Sequence, residues 1–362
     1  MSQTTARRPE LDVLRFVAFF AVFLHHVGER EVDASAGLLA RIGATVTQAF
    51  GFGLTLFFVL SAFLITRLLL AEARAAGRID LLRFWLRRGL RIWPLYVVGL
   101  AIGWLFVASP VEASMLRWFS VFGGNLFFFQ SPWNHNPMTP LWSLSAEEQF
   151  YVLLPLLLVA LGAARAGLIG LAGIGLGIAG LWVLGSAHAW IDTTIWSSPA
   201  ASLLAFGAGV MLAAETAERR LALPTGVRIG LIVAALLGFA LAVGVFDAKA
   251  CASARSGELV VAGHLSAVAA CVALVVAAAS GPLRAPRFVA ELGRISYGLY
   301  VFHLLGLHFA EALVAPSPVA RPLLGLAITI VLAALSDRVL EQPFLRLRDR
   351  LSASAPRAAR VA

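Results

Sequence analysis

Residues 8–26 read RPELDVLRFVAFFAVFLHH, and the reading of this stretch decides the fold. Every side chain from Phe16 to Leu24 is apolar, yet Asp12 and Arg15 precede the run and His25 and His26 close it. A membrane-spanning helix needs ~20 mostly apolar residues, and this segment is near that length. Wound at 100° per residue, Arg15 and His26 return to one face, about 16 Å apart along the axis. Asp12, Phe19 and Val22 lie on or near that face, while His25 points about 100° away. Such groups can be plain boundary charges. Ionisable residues within a bilayer are costly, however, and commonly mark a path or a site.

The rest of the chain agrees with a membrane reading. Its 362 residues are 60% hydrophobic and 14% charged, against about 25% charged in ordinary soluble domains; the mean hydropathy is +0.85. Apolar runs predict spans at roughly 11–27, 49–70, 91–108, 141–162, 167–187, 197–215, 227–246, 258–280, 294–312 and 321–340. The expected fold is an all-α polytopic membrane helix bundle of about ten transmembrane helices. It is one domain over residues 1–362, with 346–362 as a flexible cytoplasmic tail. With both termini cytoplasmic, 22 of the 29 Lys and Arg residues fall on the inner side and 6 on the outer, as the positive-inside rule requires. The runs do not alternate as barrel strands would. The aromatic segment WFSVFGGNLFFFQ, 118–130, is short for a crossing and is read as re-entrant or lying on the outer surface. No small-residue cleavage site follows the first helix, so it is expected to stay in the mature protein. The two cysteines, Cys251 and Cys271, offer neither a disulfide framework nor metal-ligand spacing, and no metal is expected. The net charge of +9 is assigned to cytoplasmic loops, not to nucleic acid.

Four further clusters carry polar chemistry. In RFWLRRGLRIWPLY, 83–96, Arg88 and Arg91 share a helix face and Arg87 adds charge. Paired guanidinium groups grip phosphate by forked hydrogen bonds, though arginines also anchor inner boundaries. In PLWSLSAEEQFYVLLP, 140–155, Glu147 and Glu148 stand beside Trp142 and Ser145. Ser145 and Glu148 match a capping box, which would account for Glu148 alone. In RISYGLYVFH, 294–303, Ser296, Tyr300 and His303 lie close to one face, with His303 near mid-membrane. In FFVLSAFLIT, 57–66, Ser61 is the central polar group.

Taken in order, RPELDVLR with HH, FFVLSAFLIT, RRGLRIWPLY, LWSLSAEEQFY, SYGLYVFH and EQP span residues 8 to 343. Together they resemble the acyltransferase-3 family of bacterial membranes, whose members acylate surface glycans, lipids and some secondary metabolites. The family's Arg-x10-His pair falls on Arg15 and His26, its R-x-x-R pair on Arg88 and Arg91, and its W-S-L-x-x-E-E motif on Trp142, Glu147 and Glu148. Ala62 stands where the family usually has glycine after Ser61.

The resemblance implies a multi-pass enzyme of the bacterial cytoplasmic (inner) membrane that moves an acyl group, acetyl by preference, from acyl-CoA to a hydroxyl. The acceptor would be a glycan, lipid-linked sugar or small molecule. In this scheme His26 is the general base, with a relay through an acyl-histidine as the competing chemistry; Arg15 steadies the coenzyme arm or a carboxylate, and Glu147 or Glu148 orients His26. Arg87, Arg88 and Arg91 hold the coenzyme phosphates. Trp142, Ser61, Tyr300, His303 and Asp12 complete the substrate-binding set. The alternative for such a bundle is a transporter of a small anionic or acylated substrate. The paired, broken-helix repeats common in transporters are not found in the sequence.

Overall fold

The computed structural model describes residues 9–31, 37–187, 192–219, 221–246, 248, 256–282 and 285–353, and all regular structure among them is helical. In chain order the helices are α1 (Pro9–Glu31), α2 (Leu38–Phe50), α3 (Gly53–Ala76), α4 (Leu81–Leu105), α5 (Pro110–Ser120), α6 (Gly124–Phe128), α7 (Leu141–Leu161) and α8 (Ala166–Ser186). They continue with α9 (Asp192–Ser197), α10 (Pro199–Glu215), α11 (Thr225–Gly244), α12 (Gly257–Ala279), α13 (Arg287–Arg294), α14 (Ser296–Leu313), α15 (Ala320–Ser336) and α16 (Gln342–Ala353). Each of the ten expected spans falls on one of α1, α3, α4, α7, α8, α10, α11, α12, α14 and α15. Seven helical stretches are long and apolar enough to cross a membrane. The chain is thus an all-α polytopic membrane protein. Of the other three, α10 is only 17 residues long, α14 has 18, and α4 carries the arginine cluster within its 25 residues.

The local signals show why some boundaries differ from those expected. The second span looked like one apolar run, but a turn at Gly51–Phe52 divides it into α2 and α3. Gly77, at φ 70°, ends α3 in the left-handed conformation that glycine adopts without steric cost. Asp80 then caps α4 by accepting from the Arg83 N–H at 3.0 Å. Helix α4 therefore begins ten residues before the expected start of its span, and Arg83–Arg91 lie on the helix itself. Residues 118–130 form the end of α5, a turn and the short α6, and do not cross. Helix α7 begins at Leu141, so Ser145 and Glu148 lie inside it and the capping reading fails. The Ser145 hydroxyl instead bonds back to the Leu141 carbonyl at 3.4 Å. The tail expected to be loose from 346 is helical to Ala353, and residues 354–362 lie outside the described part.

Packing follows close backbone approach. Helices α8 and α10 meet at Gly170 and Gly207, where an added Cβ would come within 2.7 Å of backbone atoms of the opposing helix. Small residues permit such crossings where lipid supplies no hydrophobic drive. Helices α14 and α15, α11 and α12, and α3 and α10 form further pairs. One large apolar core joins α3, α4, α7, α10 and α12, and a smaller one joins Phe19 and Phe23 of α1 to Leu299 and Leu307 of α14 and Ala333 of α15.

Two devices position the site. Pro155 cannot donate to the carbonyl four residues back, that of Tyr151. The indole N–H of Trp85 fills the gap at 3.1 Å, tying α4 to α7. Second, the Arg294 guanidinium, at the end of α13, lies 2.9 Å from both oxygens of Asp337. Asp337 opens a five-residue π-helical turn, Asp337–Glu341, between α15 and α16, an uncommon element that is frequent at functional sites.

Candidate active site

Two cavities lie along α1. The first, about 220 Å³, is bounded by Arg15, Ser61, Arg88, Arg91, Glu147, Tyr151 and Tyr297 among others. The second, about 680 Å³, is bounded by His25, His26, Glu29, Trp133, His135, Trp142, Trp196, His308 and Glu311 among others. Leu54 and Tyr300 line both, so the cavities meet there. We call them the arginine chamber and the histidine chamber.

The arginine chamber is built by α1, α3, α4, α7 and α14. Arg15 pairs with buried Asp12 at 2.5 Å; Asp12 holds this arginine and does not line either chamber. The Arg88 guanidinium lies 5.8 Å from the ring centres of Phe84 and Tyr151, a cation–π geometry. Arg15, Arg88 and Arg91 lie within Coulombic reach of one another. Among the described residues, neither Arg88 nor Arg91 has a hydrogen-bonded or ion-paired carboxylate. Glu147 shares the chamber and is within Coulombic reach of Arg88, but its carboxylate accepts from the Tyr151 hydroxyl at 3.3 Å. Tyr151 in turn is 2.5 Å from Ser61. Arg87 differs from its neighbours: it pairs with buried Glu72 at 3.3 Å and lines neither chamber.

The histidine chamber is floored by the end of α1. The His25 Nδ1–H donates to the Thr47 carbonyl at 2.9 Å, and its Nε2 lies 3.0 Å from Glu29. His26 Nδ1 lies 3.2 Å from the other Glu29 oxygen. A carboxylate accepts, so the proton of a neutral His26 sits on Nδ1 and the lone pair on Nε2. The ring of fully buried His303 stands 5.1 Å from that of His26, and its Nδ1–H donates to the Tyr300 carbonyl at 2.6 Å. His303 thus backs His26 and does not line the chamber. The Tyr300 hydroxyl is 2.7 Å from Ser143, at the neck between the chambers.

The expectation that Glu147 or Glu148 orients His26 gives way. Glu147 sits in the arginine chamber, and Glu148 accepts from the Trp93 indole at 3.0 Å and lines neither chamber. The carboxylate against His26 is Glu29, three residues on and so a neighbour on the helix surface. The expected span stopped at residue 27 and left Glu29 out. Ser143, Trp133 and Trp196 were also missed, because their places depend on contacts between distant segments; Tyr151 was missed although it lies one turn beyond Glu147 on α7.

The acyltransferase domain family matches residues 8–338. The chain belongs to this family. Relatives of the chain include the O-acetyltransferase OatA of Staphylococcus aureus strains NCTC 8325 / PS 47 and COL. Each is 30% identical over 168 residues, covering 42% of this chain and 25% of the relative. The match therefore spans about a quarter of the length of these curated relatives. No solved structure matches the chain.

Proposed function

We propose that this chain is an integral-membrane O-acyltransferase of the bacterial cytoplasmic membrane, with both termini cytoplasmic. It takes an acyl group, acetyl by preference, from acyl-CoA to a hydroxyl acceptor of the glycan, lipid-linked sugar or small-molecule class. The observation that carries the reading is that Arg88 and Arg91, among the described residues, have no ion-paired carboxylate in a chamber that meets, at Leu54 and Tyr300, the one lined by His26. Half-buried guanidinium groups with no ion-paired carboxylate are costly to hold together, and a polyanionic ligand would complete them. A chamber of about 220 Å³ suits the thin arm of coenzyme A with the diphosphate at its base against Arg88 and Arg91, while the adenosine would remain at the cytoplasmic face.

In the reaction the thioester enters at the neck and the acceptor occupies the histidine chamber. Nε2 of His26 takes the acceptor's hydroxyl proton as the oxygen attacks the thioester carbonyl. The C–S bond then breaks, and the leaving thiolate recovers the proton from His26. Glu29, at Nδ1, keeps the ring in the required tautomer and balances the imidazolium that forms. Tyr300 lines both chambers and its hydroxyl is 2.7 Å from that of Ser143; these two supply polar hydrogens where the carbonyl oxygen gains charge. Supplying purified protein with acetyl-CoA and a hydroxyl acceptor tests this reading. Free thiol and ester should appear in equal amounts, and retention of both by His26→Ala would refute the assigned base.

A further inference from the structure

We infer that His25, His26 and Glu29 form a binding site for zinc-like divalent cations, and that occupancy of this site arrests acyl transfer. Each residue offers one ligand atom, and the three atoms lie within 4.8 Å of one another. The two nitrogens stand 3.0 and 3.2 Å from the Glu29 oxygens. Tetrahedral zinc at ~2.1 Å from each donor sets them roughly 3.4 Å apart; the two nitrogen–oxygen distances already approach this, and rotamer adjustment would draw the set in from its 4.8 Å spread. The spacing is suitable as well: i,i+4 and i,i+3 pairs on a helix are the arrangement by which helical proteins present metal ligands. His25 carries the outer hydrogen bond typical of a ligating imidazole, since its Nδ1–H is fixed on the Thr47 carbonyl and leaves Nε2 for a metal. Glu29 is exposed, and the site faces the 680 Å³ chamber, which leaves room for water as further ligands.

Two imidazoles and one carboxylate favour zinc, copper or nickel over magnesium or calcium, which prefer all-oxygen shells. This is why the cysteine count gave no sign of a metal. The arrest rests on the reading of His26 as base, and it is a matter of tautomer. A metal on Nδ1 of a neutral His26 obliges the ring's one proton to move to Nε2. The lone pair that would accept the acceptor's proton is then gone. Glu29 is withdrawn to the metal in the same step.

The experiment is titration of the full-length protein, purified in detergent without a histidine tag, with zinc by calorimetry and with cobalt by visible absorption. We expect one saturable site per chain, no saturable binding of magnesium or calcium, and at least tenfold weaker binding in Glu29→Gln and His25→Ala. His308→Ala, in the same chamber but outside the triplet, should bind as the parent protein does. Size-exclusion profiles identify variants that fail to fold, and Glu29→Gln, nearly isosteric, guards against that outcome. No stoichiometric binding by the parent protein, or equal binding by the folded Glu29→Gln and His25→Ala variants, overturns the site. If zinc binds at the triplet while acyl transfer continues undiminished, the site stands and the reading of His26 as base falls. If zinc stops transfer and a chelator restores it, both hold.

Discussion

The two chambers share a neck but are completed in opposite ways. In the histidine chamber the protein satisfies its own ionisable groups: His25 holds Thr47 and Glu29, and Glu29 holds His26. In the arginine chamber, among the described residues, Arg88 and Arg91 line the cavity without an ion-paired carboxylate, while Arg87, one residue away, is paired with Glu72. A preorganised base and an uncompensated pair of cations are what group transfer from an anionic carrier requires. The first must be oriented before substrate arrives; the second must be left for the carrier to neutralise.

The largest effect should come from the histidine side. His26→Ala removes the base, and general-base catalysis contributes roughly 100- to 10,000-fold. The turnover rate should fall by that order while the affinity for acyl-CoA changes little, as measured by thiol release and by equilibrium binding. Loss of coenzyme affinity with turnover preserved would reverse the roles given to the two chambers. At the neck, Tyr300→Phe removes one of the two hydroxyls placed at the developing charge. Losing an oxyanion donor costs roughly 100-fold or more, so turnover should fall by about 100-fold, with coenzyme affinity unchanged. The arginine side should show the opposite division. Hydrogen bonds to charged groups contribute about 1.5–3 kcal/mol, and about 1.4 kcal/mol is tenfold in affinity. Arg88→Ala or Arg91→Ala should therefore weaken acyl-CoA binding roughly 10- to 100-fold, with a lesser change in turnover at saturation.

Much of this contrast was legible in the sequence. The eleven-residue interval placed Arg15 and His26 on one face of α1, and the structure puts both against cavities. The Gly77 and Asp80 signals for the end of α3 and the start of α4 were also present, but Arg83–Arg91 read as a boundary and hid them. Other features needed tertiary information. Nothing local distinguishes Arg87 from Arg88, because Glu72 reaches Arg87 across the α3–α4 turn. Glu147 has a local partner, Tyr151 four residues on, but the partner that draws Glu148 away, Trp93, is 55 residues distant in sequence. Ser145 and Glu148 show how a short pattern misleads: the motif fits a helix start, but α7 had begun four residues earlier.

The smallest catalytic effect should come from Arg87, and it gives the sharpest test of the contrast. Arg87 lies between helix-surface Leu86 and chamber-lining Arg88, so a general basic patch would make all the arginines of the cluster count alike. The structure instead engages Arg87 with Glu72, whose other oxygen accepts from the Asp80 backbone N–H at 3.0 Å. Arg87→Ala should change acyl-CoA affinity by less than about twofold. It should cost stability, because it leaves a buried carboxylate short of its cation. The pair lies between exposed bridges, worth about 0.2–1 kcal/mol, and fully buried ones, whose disruption costs about 3–5 kcal/mol; a loss of about 1–2 kcal/mol is expected. A double-mutant cycle with Glu72→Gln, read by thermal unfolding in detergent, should recover a coupling energy for this pair. The same cycle run on Arg88 and Glu147 should recover much less, since those side chains share a cavity without an ion pair. A tenfold loss of coenzyme affinity in Arg87→Ala would instead place its guanidinium on the phosphates and extend the anion site along α4 beyond the chamber.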